Sequence, residues 1–171
     1  MVKNFFITLF LFITFSNSSF ACALLQVPIG TPVNSAKNTF AFLSEHKPEF
    51  YGEYISARYV VPAQEYCEGA NLQNSDLELI VHDNKVVKIS IMSNYSEIKN
   101  EVYEFVRTRI GEPGEDVQKD DWVGIKDLSV GSLIMIYGKT KLRGEILEVL
   151  EITNNEMEKY TTYEEIIDVF G

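Results

Sequence analysis

The chain has 171 residues, with 25 acidic against 15 basic side chains, a formal net charge of −10 and 46% hydrophobic residues. That length supports one ordinary domain, or two small halves sharing a core. The acidity argues against nucleic acid, whose phosphates require clustered Lys and Arg, and against adhesion to anionic lipid.

In chain order, Lys3 precedes an apolar run from Phe5 to Phe15, and a polar stretch (Ser16 to Ser19) leads to Phe20-Ala21-Cys22-Ala23. A positive end, an apolar centre and small residues at a cut site predict a secretory signal peptide over 1–21. The apolar run is shorter than the about 20 residues a spanning helix needs, so no transmembrane segment is expected. Three cuts stay open. Processing after Ala21 makes Cys22 the first mature residue, and processing after Ala23 discards it. Lipidation makes Cys22 a lipid anchor, although Ser19 stands where lipoprotein signals carry Leu. The expected location is periplasmic or secreted.

The remaining residues, 22–171, read as a single α+β domain, with halves at 22–93 and 94–171. Without Lys3 its net charge is about −11, and its aromatic character is mostly tyrosine: all nine Tyr lie there, while six of the eleven Phe lie in the leader. The only cysteines are Cys22 and Cys67. In an oxidising compartment the pair suggests one disulfide bond. It would close a loop of about 45 residues, worth roughly 4 kcal/mol in the chain-entropy picture. If Cys22 is lipidated or removed, Cys67 is a buried small apolar residue.

Thr31 and Pro32 predict a helix start, with Thr31 as N-cap and Pro32 at the first helical position. Val33, Ala36, Phe40 and Leu43 form its apolar stripe, and Pro48 ends it. A strand follows over Tyr54 to Val61, with Ile55, Ala57, Tyr59 and Val61 on one face. Leu77 to Val81, a turn at Asp83-Asn84-Lys85, and Val86 to Ile91 read as a hairpin. Val87, Ile89 and Ile91 point to the core there, and Lys88 and Ser90 to a wet face. Asn94 and Glu97 form a capping box for a second helix. Its stripe is Ile98, Val102, Phe105, Val106 and Ile110, and it is closed by Arg107, Arg109, a left-handed Gly111 and Pro113. Strands are expected at Trp122 to Ile125, Leu133 to Tyr137 and Glu145 to Ile152, the last also drawable as a helix. A short helix over Thr162 to Phe170 ends the chain. The pattern predicts an antiparallel sheet with helices packed on one face, and two αβββ repeats as a hypothesis.

Ile29-Gly30-Thr31-Pro32 before the first helix and Arg109-Ile110-Gly111-Glu112-Pro113 after the second carry a resemblance. This arrangement is similar to small exported helix-plus-hairpin modules, the outer-membrane assembly lipoprotein family (BamE or SmpA) and the β-lactamase-inhibitor-protein family. It covers about half the chain. The resemblance implies a binding module rather than a catalyst; the poor lipidation signal and the greater length depart from the assembly lipoproteins.

His46 and His82 have no second His or Cys at metal-ligand spacing, so both read as surface histidines and no metal or cofactor is expected. The acidic stretch Glu112 to Asp121 lacks the alternating ligands of a calcium loop and reads as a connector. Nucleophile-elbow, zinc-protease and phosphate-loop motifs are missing. The suggestive cluster is aromatic: Phe50, Tyr51, Tyr54, Tyr59 and Tyr66 fall within seventeen residues. Tyrosine suits recognition because it buries a large ring and keeps a polar tip; otherwise these rings fill core and decorate a strand. The leading expectation is a non-enzymatic envelope protein that binds another envelope protein, a basic one by charge, as an inhibitor, an immunity protein or an accessory factor. The alternative is a small carboxylate-dependent hydrolase of cell-wall or glycan material, which would need cleft-facing carboxylates with raised pKa.

Overall fold

The computed structural model describes residues 23–51, 56–67, 69–94, 100–114, 116–117, 122–142 and 144–160. The elements are α1 (Val33–Ala36), α2 (Phe42–Glu45), β1 (Glu49–Tyr51), β2 (Ser56–Pro62), α3 (Ala63–Tyr66), β3 (Ser75–His82), β4 (Lys85–Ser93), α4 (Glu101–Arg109), β5 (Gly124–Asp127), β6 (Leu133–Leu142) and β7 (Glu145–Asn154). Single 3₁₀ turns cover Ala23–Gln26 and Glu158–Tyr160. The strands form one antiparallel sheet in the order β1-β2-β3-β4-β7-β6-β5. Helices α1 to α4 pack on one face of it, and their Val33, Ala36, Phe42, Leu43, Ala63, Val102, Phe105 and Val106 share a core with Leu77, Leu79, Ile89, Ile91, Leu150 and Ile152. The fold is therefore α+β and mostly sheet. The halves do not match element for element, since β1 and α3 have no counterpart among the described residues after 94.

The hairpin forms as its residues dictate. Asp83 (φ 47°) and Asn84 (φ 61°) both take positive φ, the type I′ geometry whose twist matches the flanking strands. The register shifts between Ile80 and Val81, so one residue of β4 bulges. That shift refines one expectation: Val86 takes the place beside Ile89 and Ile91 in the main core cluster, while Val87 is equally buried but outside that cluster, and its carbonyl accepts the Thr153 hydroxyl at 2.7 Å. The segment before α1 is stitched onto this hairpin. The Gly30 N–H donates to Val86 O (2.7 Å), Val86 N–H to Thr31 O (2.9 Å) and Val33 N–H to Asn84 O (2.9 Å). Gly30 holds φ 92° to make that approach.

The first helix is broken rather than continuous. Thr31 does not cap it; its hydroxyl donates to Pro28 O, and Pro32 holds the N-cap position without a side-chain bond. The break between α1 and α2 lets Phe40 and Phe42 both become fully buried. Residues two apart on an unbroken helix point to different faces, so one of those rings would have been left out.

The second helix is described from Glu101; Glu97 and Ile98 lie outside the described residues. Asn100, in the left-handed region at φ 66°, stands at its N-cap, and the amides of Val102 and Tyr103 are met by Glu148 of β7; the amides that Asn94 is expected to cap lie outside the described residues. Gly111, at φ 159°, is not the left-handed residue expected after the last turn. Glu145–Asn154 is strand, which resolves the helix-or-strand choice. The expected helix over Thr162 to Phe170 lies outside the described residues.

The centre of the opposite face of the sheet is not wet, although its margin at Val60 is exposed. Glu78, Ile80, Lys88 and Ser90 are each under 4% exposed. Ion pairing makes that burial tolerable: Lys88 Nζ lies 3.0 Å from Glu151 and 3.6 Å from Glu78, Glu78 also pairs with Arg58, and the Ser90 hydroxyl donates to Glu78 at 3.3 Å. No helix of the described residues is long and apolar enough to cross a membrane.

Candidate functional site

The aromatic cluster sits at one edge of the sheet. In β1, Glu49, Phe50 and Tyr51 pair in register with Arg58, Ala57 and Ser56. Only the backbone of Phe50 and Tyr51 is described, and Tyr54 lies outside the described residues. Tyr59 and Tyr66, from β2 and α3, converge on one buried ring. Phe42 meets Tyr66 edge-on at 4.8 Å between centroids and Tyr59 at 6.4 Å, with Phe40 at 5.5 Å behind it. Both tyrosines are half-buried, so each rests one side on the core and keeps the other near solvent. Burial raises the Tyr66 hydroxyl pKa, with Glu65 and Glu45 adding to the effect, so that tip stays neutral and able to donate.

Cys67 follows directly. It is fully buried in the same core cluster as Leu24, its N–H donates to Ala63 O at 3.0 Å, and no free cysteine stands among the described residues. Cys22 lies outside them.

The sequence did not reveal a second constellation, a polar centre buried under α4. Glu148 lies on the core face of β7, opposite Lys139 of β6. Its Oε1 accepts the Tyr137 hydroxyl at 2.6 Å and the Tyr103 N–H at 3.3 Å, and its Oε2 accepts the Val102 N–H at 3.1 Å. Lys139 donates from Nζ to Asn100 Oδ1 (3.0 Å) and Val117 O (3.4 Å). Burial pushes the Glu148 carboxyl above its ordinary value; Tyr137, the Val102 amide, Lys139 and the Tyr103 amide pull it back only in part. The Tyr137 hydroxyl is raised by burial first and by Glu148 second. Chemically this carboxylate is a helix cap, since both oxygens are taken and the side chain is closed off from solvent. Opposite charges at facing positions of adjacent strands were the available sequence signal, but it needed the register.

Glu101 ties the start of α4 to β3, accepting from Asn74 N–H, Asn74 Nδ2 and Ser75 Oγ at 3.0 to 3.1 Å. Beside it lies a cavity of about 250 Å³ lined by Asn71, Asn100, Glu101, Glu104 and Phe105. An apolar groove of about 300 Å³ runs along Val27, Ile29, Leu133 and Ile152.

The histidine expectation needs correction. His46 is exposed, but His82 is buried, with Nδ1 3.2 Å from Ser56 Oγ and its ring stacked on Tyr160 at 4.4 Å. Its place at the end of a central strand explains the burial. No cluster of three metal-binding side chains occurs among the described residues. In the acidic stretch, Glu112 accepts the Tyr103 hydroxyl at 2.9 Å and Asp116 pairs with Lys126 at 3.1 Å.

Compared with models of known families, with curated proteins and with solved structures, the chain matches none.

Proposed function

We propose that the chain is an exported, non-enzymatic binding module of the cell envelope that captures a basic protein through its tyrosine-rich sheet edge. The observation carrying this reading is the convergence of half-exposed Tyr59 and Tyr66 on Phe42, beside an edge strand that contains Phe50 and Tyr51. Rings seated on a rigid base lose little conformational freedom on binding, which favours them as anchors. A net charge of −10 speeds encounter with a cationic partner. An accessory role in envelope assembly, implied by the helix-plus-hairpin resemblance, belongs to the same reading. The hydrolase alternative draws no support from Glu148, whose oxygens are taken by helix amides and Tyr137.

The same proposal includes a Cys22–Cys67 bridge after removal of the leader. Its support is the buried Cys67, which shares a core with Leu24, two residues beyond Cys22. Intact mass of protein from its native host tests it. A chain starting at Cys22 that gains two hydrogens on reduction is expected; a lipidated or missing Cys22, or a mass that begins at Met1, overturns it.

Capture from envelope extract tests the binding reading. One saturable partner is expected, lost with Tyr51→Ala and Tyr54→Ala together while the melting temperature holds. Recovery of nothing, or undiminished capture by the variant, counts against it.

A further inference from the structure

Strand β5 is the outermost strand on the side of the sheet away from the tyrosines, and its free edge is chemically unfinished. Val130 and Leu133 exchange both backbone bonds (2.9 and 3.1 Å), and two residues back Leu128 N–H donates to Met135 O at 2.8 Å, which sets the alternation of the ladder. In an antiparallel ladder such pairs alternate, so Lys126/Tyr137 and Gly124/Lys139 are bonded in the same way. Ile125 and Asp127 fall between them and direct their N–H and C=O groups away from β6. Among the described residues nothing accepts or donates to those groups. Edge strands are usually blunted by charge, proline or a bulge. Here Ile125 is 49% and Val123 54% exposed. The cation on the strand, Lys126, is engaged by Asp116.

We propose that the β5 edge takes an extended segment of a partner protein as an eighth strand, and that this segment alternates apolar and basic residues. Backbone bonds to Ile125 and Asp127 supply its alignment, and apolar side chains cover Ile125 and Val123. Asp127 and the net charge of −10 favour the basic residues; the Ser129 hydroxyl and N–H hold the Asp127 carboxyl below the usual carboxylate range, so it stays charged. A second copy of this chain is the poorer occupant, because two chains of net charge −10 repel. The inference concerns a different surface from the tyrosine edge and stands without it.

The test is residue-resolved amide exchange on the whole protein, with an end-capped heptapeptide alternating Lys and Val as probe and a Glu–Val peptide as control. The Lys–Val peptide should slow exchange at Ile125 and Asp127 roughly tenfold or more near saturation, and the Glu–Val peptide should not. Val123→Lys with Ile125→Lys should remove the protection without lowering the melting temperature, and Tyr51→Ala with Tyr54→Ala should leave it intact. The inference is overturned by an absence of protection up to the solubility limit of the peptide, by protection located elsewhere, or by equal protection from the Glu–Val peptide. It is equally overturned if the two amides are protected in a concentration-dependent way without peptide, which would make a second copy the occupant.

Discussion

The Tyr137 hydroxyl donates to Glu148 at 2.6 Å along a diagonal between neighbouring strands: Tyr137 faces Leu150, and Glu148 faces Lys139. Through that bond the second half of the sheet holds the carboxylate that caps α4. Tyr137→Phe keeps the ring and removes the donor. A hydrogen bond to a charged group contributes about 1.5–3 kcal/mol, and a loss of that size is expected in urea unfolding at neutral pH. An unchanged midpoint would mean that the helix amides alone satisfy Glu148.

Stability should depend on pH through the same carboxyl. Its pKa in the folded chain is raised, so folding favours the protonated form. The stabilisation from that proton is fully present below the unfolded pKa and is lost as pH rises through the folded one. Lowering the pH from neutral towards the ordinary carboxylate range should therefore raise stability, and Glu148→Gln should flatten that part of the curve. Parallel curves for the two proteins would refute the assignment.

Glu78 sits between Arg58 and Lys88 with almost no exposure. Glu78→Gln leaves Lys88 to Glu151 at 3.0 Å and takes the carboxylate from Arg58, and breaking a buried pair in this way costs up to about 3–5 kcal/mol. The double replacement Glu78→Leu with Lys88→Met should recover part of that loss, since it removes the two most buried charges and leaves only the less buried Arg58 and Glu151. A double variant as unstable as the single one would place the defect in packing rather than charge. Denaturant titration of the three proteins reads the difference.

Asn84 holds φ 61° in the hairpin turn, and its carbonyl receives the Val33 N–H. Asn84→Gly should be tolerated, whereas a β-branched residue there meets a left-handed penalty of about 1–2 kcal/mol. Asn84→Val should therefore lower the melting temperature and speed amide exchange at Val33. Equal melting of the Gly and Val variants would mean that the turn relaxes to another type.

Much of the sheet was readable from residue order. The Asp83-Asn84 turn between apolar runs and the Val/Ile content of 145–152 gave the correct strands, because turn chemistry and β-branching act locally. The first helix misled because Val33, Ala36, Phe40 and Leu43 do all reach the core, as the stripe required, but by way of a break that admits Phe42 as well. Lys88 and Ser90 were assigned to the correct side and the wrong environment: alternation tells which residues share a face, and only strand neighbours tell whether that face is covered. The capping of α4 by Glu148 joins positions 46 residues apart, beyond any local pattern. Of the five aromatic candidates, Tyr59 and Tyr66 meet on Phe42, a helical residue that strand periodicity could not bring to them.

The sheet order also sets a timetable. The last described strand, β7, lies between β4 and β6, so the parts of the sheet on its two sides have no common seam until residue 154 is available. A nascent polypeptide can zip up β3 with β4 early, yet its largest apolar surfaces stay bare until synthesis is nearly finished. Such a molecule keeps its slack for most of its manufacture. It also exposes any prematurely terminated product to proteases.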